Sequence, residues 1–174
     1  MKSLKLKIQR KLDGIKKEKS IYGFQFQPET KFLNGITDSE IDELEKLFGF
    51  VFPNDYRKML LIFKGFDKSH ISIDPEDEYR VNYDDRFYQY PRDLKKSKWL
   101  VEEITAFKNE AELALSEEGF NVSEIVGYIP IYGHRALVVF KDKKKSPVIS
   151  VWGSDIIVYG NNLKEYLRNE FLRY

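Results

Sequence analysis

The chain of 174 residues has no cysteine. That excludes a thiol nucleophile, a disulfide framework and a thiolate zinc site. It fits a reducing compartment, and a cytoplasmic location is the expectation. Histidine is scarce as well, with only His70 and His134 present. His70 stands four residues before Asp74, beside an acidic run, but no second histidine is near and no HExxH spacing occurs. Both histidines read as exposed or structural residues of a loop and a turn. No apolar run approaches the roughly 18 residues of a membrane span. The basic N-terminus MKSLKLKIQRKLDGIKKEK lacks the continuous apolar stretch of a secretory signal. GxSxG, P-loop and GxGxxG patterns are missing. The acidic run Asp74–Glu78 lacks the glycine and trailing glutamate of a calcium loop. No metal or cofactor is expected, and an enzyme using His134 with nearby carboxylates has no motif behind it. The formal net charge of +1 argues against a dedicated nucleic-acid binder.

What is present is a globular mixture. Hydrophobic residues make up 42% and charged residues 33%, outside the range of disordered chains. A chain of this length can bury roughly 70% of its unfolded surface without a staple. Aromatics are plentiful, with 13 Phe and 11 Tyr, enough for a core and a surplus for a contact surface. Charge is uneven. Residues 1–20 carry eight Lys/Arg against two acids, and residues 74–86 carry six acids against two arginines. Opposed patches of this kind steer partners or simply solvate two faces.

Leu4, Ile8, Leu12 and Ile15 form one apolar stripe under a basic face and predict a first helix that docks on the domain. Residues 20–35 read as a loop with one short strand. Thr37 and Glu40 are spaced as a capping box, with Ile36 and Ile41 as a staple, and Gly49 ends that helix. Pro53 opens the next, whose face is Tyr56, Met59, Leu60 and Phe63, with Gly65 as its expected end. Together they make an N-terminal helical hairpin. Short strands are expected at Ile71–Ile73 and Tyr79–Tyr83. One helix is expected over Ser97–Glu118, ended by Gly119 with Phe120 folding back on Leu115. Tyr128–Ile131, Ala136–Phe140, Val148–Val151 and Ile156–Tyr159 then read as an antiparallel meander. Asn162 and Glu165 cap a C-terminal helix. The fold class is α+β: an antiparallel sheet of about four to six strands with helices packed mainly on one face. One domain spanning 1–174 is expected.

Tyr79, Tyr83, Phe87, Tyr88 and Tyr90 interleave with charges. Aromatics beside acids suit a basic protein partner. The candidate partner-binding residues are Asp74, Glu76, Asp77, Glu78, Tyr83, Asp84, Asp85, Tyr88 and Tyr90. The competing reading is an edge strand whose aromatics alternate into the core.

The stretch ITDSEIDELEKLFGFVFPNDYRKMLLIFKGF resembles the opening motif of the SUKH superfamily. The matching positions are Ile41, Leu44, Glu45, Gly49, Phe52, Pro53, Asp55, Tyr56 and Leu60. The C-terminal order, IPIYGHRALVVF, a charged turn, PVISVW, a strand and the helix entered from NNLKEYL, is similar too, so the likeness spans residues 34–172. It departs where the family has Asn-Gly after the second helix and this chain has Phe63-Lys64-Gly65. The resemblance implies a non-enzymatic protein-binding domain. Bacterial members are immunity proteins that neutralise a cognate toxin, often a nuclease, and fungal members regulate cell-wall synthesis through protein contacts. An adaptor of the second kind would use the basic N-terminal helix as a separable docking site. The motif residues transfer no catalytic role.

Overall fold

The computed structural model describes residues 1–16, 24–74, 76, 80–142 and 146–173. Helix α1 (Lys2–Asp13) is followed by β1 (Phe32–Asn34), α2 (Asp38–Phe48), α3 (Asn54–Leu60), β2 (Phe63–Phe66), β3 (His70–Ile73) and β4 (Val81–Asp84). Then come α4 (Leu94–Ala106), α5 (Lys108–Glu117), β5 (Ile125–Tyr132), β6 (Arg135–Phe140), β7 (Val148–Trp152), β8 (Asp155–Gly160) and α6 (Leu163–Leu172). Strands β5 to β8 form a four-stranded antiparallel meander, while β1–β2 and β3–β4 are separate antiparallel pairs. The class is α+β.

The meander carries a core on each side because successive strand residues face opposite ways. Leu137 and Val139 of β6 face one core, and Ala136, Val138 and Phe140 face the other. The first core is closed by α1, α2, α3 and α6, through residues such as Ile8, Ile41, Tyr56 and Leu167. The second is closed by Leu100 and Ile104 of α4 and by Ala111 and Leu115 of α5. Four of the six helices among the described residues thus share one face.

Local chemistry explains the element ends. The Thr37 side chain accepts from the Glu40 amide, and the Glu40 carboxylate accepts from the Thr37 amide at 2.8 Å. Gly49 ends α2 at φ 78°, a left-handed conformation that glycine adopts without strain. After α5, the amide of Phe120 reaches the carbonyl of Leu115 (3.0 Å) and that of Gly119 the carbonyl of Ser116 (2.9 Å), the paired bonds of a Schellman end.

Two expectations are corrected. Gly65 does not close a helix: α3 ends at Leu60, and the chain becomes β2, pairing Phe66 with Phe32 and Phe63 with Asn34. Ring packing favours this course, with Phe32 4.6 Å from Phe63 and 4.8 Å from Phe66. The helix expected over Ser97–Glu118 is two helices, broken at Phe107 (φ −110°, ψ 41°). The bend lets α4 pack on β5 and β7 while α5 lies on β8. Helix α1 docks on the domain as its apolar stripe predicts, so it is not the separable site that the adaptor alternative uses. Leu4, Ile8 and Leu12 are buried, the Lys5 ammonium donates to the Ile62 carbonyl (3.2 Å), and the Gln9 amide donates to the Thr30 carbonyl (3.0 Å). Its basic face, with Lys2, Lys7 and Arg10, stays exposed.

Candidate protein-binding surface

The segment after β4 runs beside the end of β5. Phe87 bridges Tyr132, the Tyr88 amide donates to the Ile131 carbonyl (3.2 Å), and the Gly133 amide donates to the Arg86 carbonyl (2.7 Å). This course decides which aromatics reach solvent. Tyr88 and Tyr90 are buried. The Tyr88 hydroxyl donates to the Gly133 carbonyl (2.9 Å) and accepts from the Trp99 indole (3.1 Å), while the Tyr90 hydroxyl donates to the Pro130 carbonyl (2.7 Å). Tyr90 is thus a strut beneath the surface, whereas Tyr88, though little exposed, lines the hollow described next. Tyr83, on β4, is exposed.

The acidic candidates divide into two groups. Asp84 and Asp85 lie at the α4 end of the β3–β4 hairpin. Asp74 and Glu76 lie at its other end, roughly 10 Å away by strand rise. Asp77 and Glu78 fall outside the described residues. Most of these carboxylates have cations of their own. Asp74 lies 3.8 Å from Arg80, and Asp84 lies 3.3 Å from Lys96 and 3.6 Å from Arg86. Asp85 accepts from the Ser69 hydroxyl and lies 3.3 Å from Arg92. Glu76 is exposed. Among the described residues the surface is therefore mixed in charge.

Asp84 and Asp85 meet a hollow of about 240 Å³ whose opposite wall comes from the meander and α4. That wall holds Trp99, Trp152, Gly133 and His134, with Lys96 beside Asp84. Trp152 ends β7 and is 73% exposed; Trp99 on α4 is 44% exposed. These are the only two tryptophans in the chain, and both open onto this hollow. The edge of the His134 ring meets Trp152 with 5.6 Å between centroids. A two-residue turn, Gly133-His134, places it there, and Gly133 takes the positive φ (53°) that such hairpins need at their first position. The sequence reading left out Trp99 and Trp152 and took His134 only as a turn residue. The rarity of tryptophan was the available signal, since indoles are enriched where partners bind.

Both histidines titrate low. Burial, then the charges of Arg135 and Arg86, push His134 down to about 4. His70 is also pushed down to about 4, first by burial and then by Arg86. The exposed-loop reading of His70 is corrected: it lies buried on β3, with Nε2 2.8 Å from the Tyr132 hydroxyl. Its Nδ1 has no hydrogen-bond partner among the described residues. Among those residues, no group of three His, Asp or Glu is placed to hold a metal ion, and no helix is long and apolar enough to cross a membrane.

The model of the SMI1 / KNR4 family (SUKH-1) matches residues 35–169. The chain belongs to that family. Comparison with curated proteins found no match, and comparison with solved structures found none. SUKH proteins include toxin-immunity proteins and fungal regulators, and they generally bind partner proteins. The SUKH motif residues here serve the fold. Ile41, Leu44, Phe52, Tyr56 and Leu60 are buried in the first core. Glu45 accepts the Phe52 amide (2.7 Å) and pairs with Arg57 (2.8 Å), tying α2 to the link before α3. Asp55 is held above the usual carboxylate range by burial. The SUKH motif residues thus belong to the framework, while the hollow, which also lies within residues 35–169, is built from α4, a turn and strand ends.

Proposed function

We propose that this SUKH protein acts by binding and not by catalysis, and that it neutralises a cognate toxin protein through the hollow between β4, α4 and the Gly133–His134 turn. The observation that carries this reading is the convergence of both tryptophans on one hollow bordered by charged groups. Exposed indoles ringed by Asp84, Asp85, Lys96 and Arg86 have the composition of a binding hot spot, an aromatic anchor with polar groups around it. Exposing Trp152 gains nothing for folding, so a partner that covers it explains its position.

Co-expression with the protein encoded by the neighbouring open reading frame tests the proposal. Rescue of growth together with recovery of a stoichiometric complex is the expected result. A toxic neighbour that is neither bound nor neutralised overturns it. The adaptor reading draws on the exposed basic face of α1; there the partner would bind without any toxicity to relieve.

A further inference from the structure

A second hollow, of about 310 Å³, adjoins the first and shares Arg86 and His134 with it. It lies between the Gly133–His134 turn, the residue after β4's acidic end, and α6. Arg86, Arg135 and Glu170 supply its charge, and Phe24, Tyr132 and His134 its ring surfaces. We propose that this hollow receives a carboxylate, presented by an Asp or Glu side chain of the protein partner, between the guanidiniums of Arg86 and Arg135.

Three observations carry the inference. First, both guanidiniums are fixed before any partner arrives. Arg135 lies over the Tyr159 ring at 4.3 Å, and its Nη1 donates to the Ser150 hydroxyl at 2.6 Å. Arg86 lies 5.0 Å from the Phe24 ring centroid and 5.6 Å from that of Tyr132. Its Nη2 rests where a side chain on residue 133 would begin, 2.6 Å from the position of a Cβ. The two side chains are only 20% and 13% exposed, so little rotamer freedom remains to be lost on binding. Second, the local charge is positive. In the hollow's own lining Arg86 and Arg135 stand against one carboxylate, Glu170, 3.2 Å from Arg135; in the adjoining hollow Asp84 is divided between Arg86 and Lys96, and Asp85 is also present. Third, the chemistry matches. Guanidinium planes take carboxylates in a forked, charge-assisted geometry, and the exposed Phe24 ring offers an apolar wall for the methylene stem. On this proposal the partner offers an acid beside whatever covers the tryptophans, in addition to the basic groups expected of it.

This inference rests on the protein-binding reading, but the two fail separately: co-expression tests the partner, and a small carboxylate tests the hollow alone. N-acetyl-glutamate N-methylamide is titrated into the ¹⁵N-labelled full chain, with N-acetyl-glutamine N-methylamide as the neutral control and inorganic phosphate as a third arm. Saturable shifts are expected for the glutamate probe alone, in the millimolar range, at the Arg86 and Arg135 Nε–H groups and the Gly133 amide. Arg86→Gln should abolish them. Glu170→Gln, which removes the resident carboxylate, should tighten the probe several-fold, a gain that mere damage to the fold does not produce. No saturable shift, shifts away from the hollow, an equal response to the glutamine probe, or a response to phosphate without one to glutamate each overturns the proposal.

Discussion

The segment from Thr37 to Leu60 and the surface around the Gly133–His134 turn use similar side chains to different ends. In the first, aromatic and charged groups turn inward or onto each other. Phe52 and Tyr56 pack edge to face at 5.2 Å, and Arg57 collects Asp42 at 2.9 Å and Glu45 at 2.8 Å. In the second, Trp152 stands in solvent and ion pairs ring a hollow. A helical hairpin too short to hold itself must spend its side chains on packing. A hairpin tip on a finished sheet is free of that demand. The difference teaches that the motif defining the family and the surface available for recognition are separate sets of residues.

The most severe way to break this separation is to remove α1, which lies outside the matched span yet inside the core. Burial of Leu4, Ile8 and Leu12 contributes roughly 5 to 9 kcal/mol at the usual value per large apolar side chain. That is comparable with the whole stability of a typical domain. Deleting residues 1–13 should therefore abolish cooperative unfolding by circular dichroism. A sharp thermal transition in the shortened chain would return α1 to the class of separable docking elements.

Next in size is His70. Its folded pKa of about 4 lies below the ordinary 6.5, so the unfolded chain takes up this proton first as pH falls. The stability tied to neutral His70 is complete above about pH 6.5 and is lost progressively down to pH 4, amounting to about 3 kcal/mol. A ring titration by NMR should place its midpoint near 4. A midpoint near 6.5 would move β3 from the framework to the surface.

Trp152→Ala should act in the opposite sense. Binding of the cognate partner should weaken roughly 30-fold, as for a central indole, while urea stability stays within about 0.5 kcal/mol. An unchanged dissociation constant in calorimetry would remove the hollow from the binding surface. The smallest effect is expected for Thr37→Ala, which loses the α2 cap at a cost of about 1 kcal/mol and leaves partner affinity unchanged. A loss of affinity there would merge the two regions.

Legibility in the sequence followed the same division. The Thr37 cap, the Gly49 and Gly119 ends, the α1 stripe and the four meander strands could be read because each depends on neighbours a few residues away. Gly65 misled because a glycine after a helix looks like its end, whereas its role is set by Gln89, whose side chain occupies the space where a Cβ would sit. Phe107 misled because the bend between α4 and α5 answers to strands far along the chain. In the acidic-aromatic stretch only alternation was visible. Which aromatics faced inward depended on the pairing of Phe87 with Tyr132, and which acids were free depended on Arg92, Lys96 and Ser69. Trp152, at the end of β7, and His134, in the β5–β6 turn, are brought together only by the folded meander.

His134 borders both hollows. One side chain at the tip of a hairpin therefore shapes the walls of two adjoining hollows, so a single substitution there alters both at once. Gly133 beside it has no such latitude, because the Arg86 guanidinium occupies the space a side chain would need.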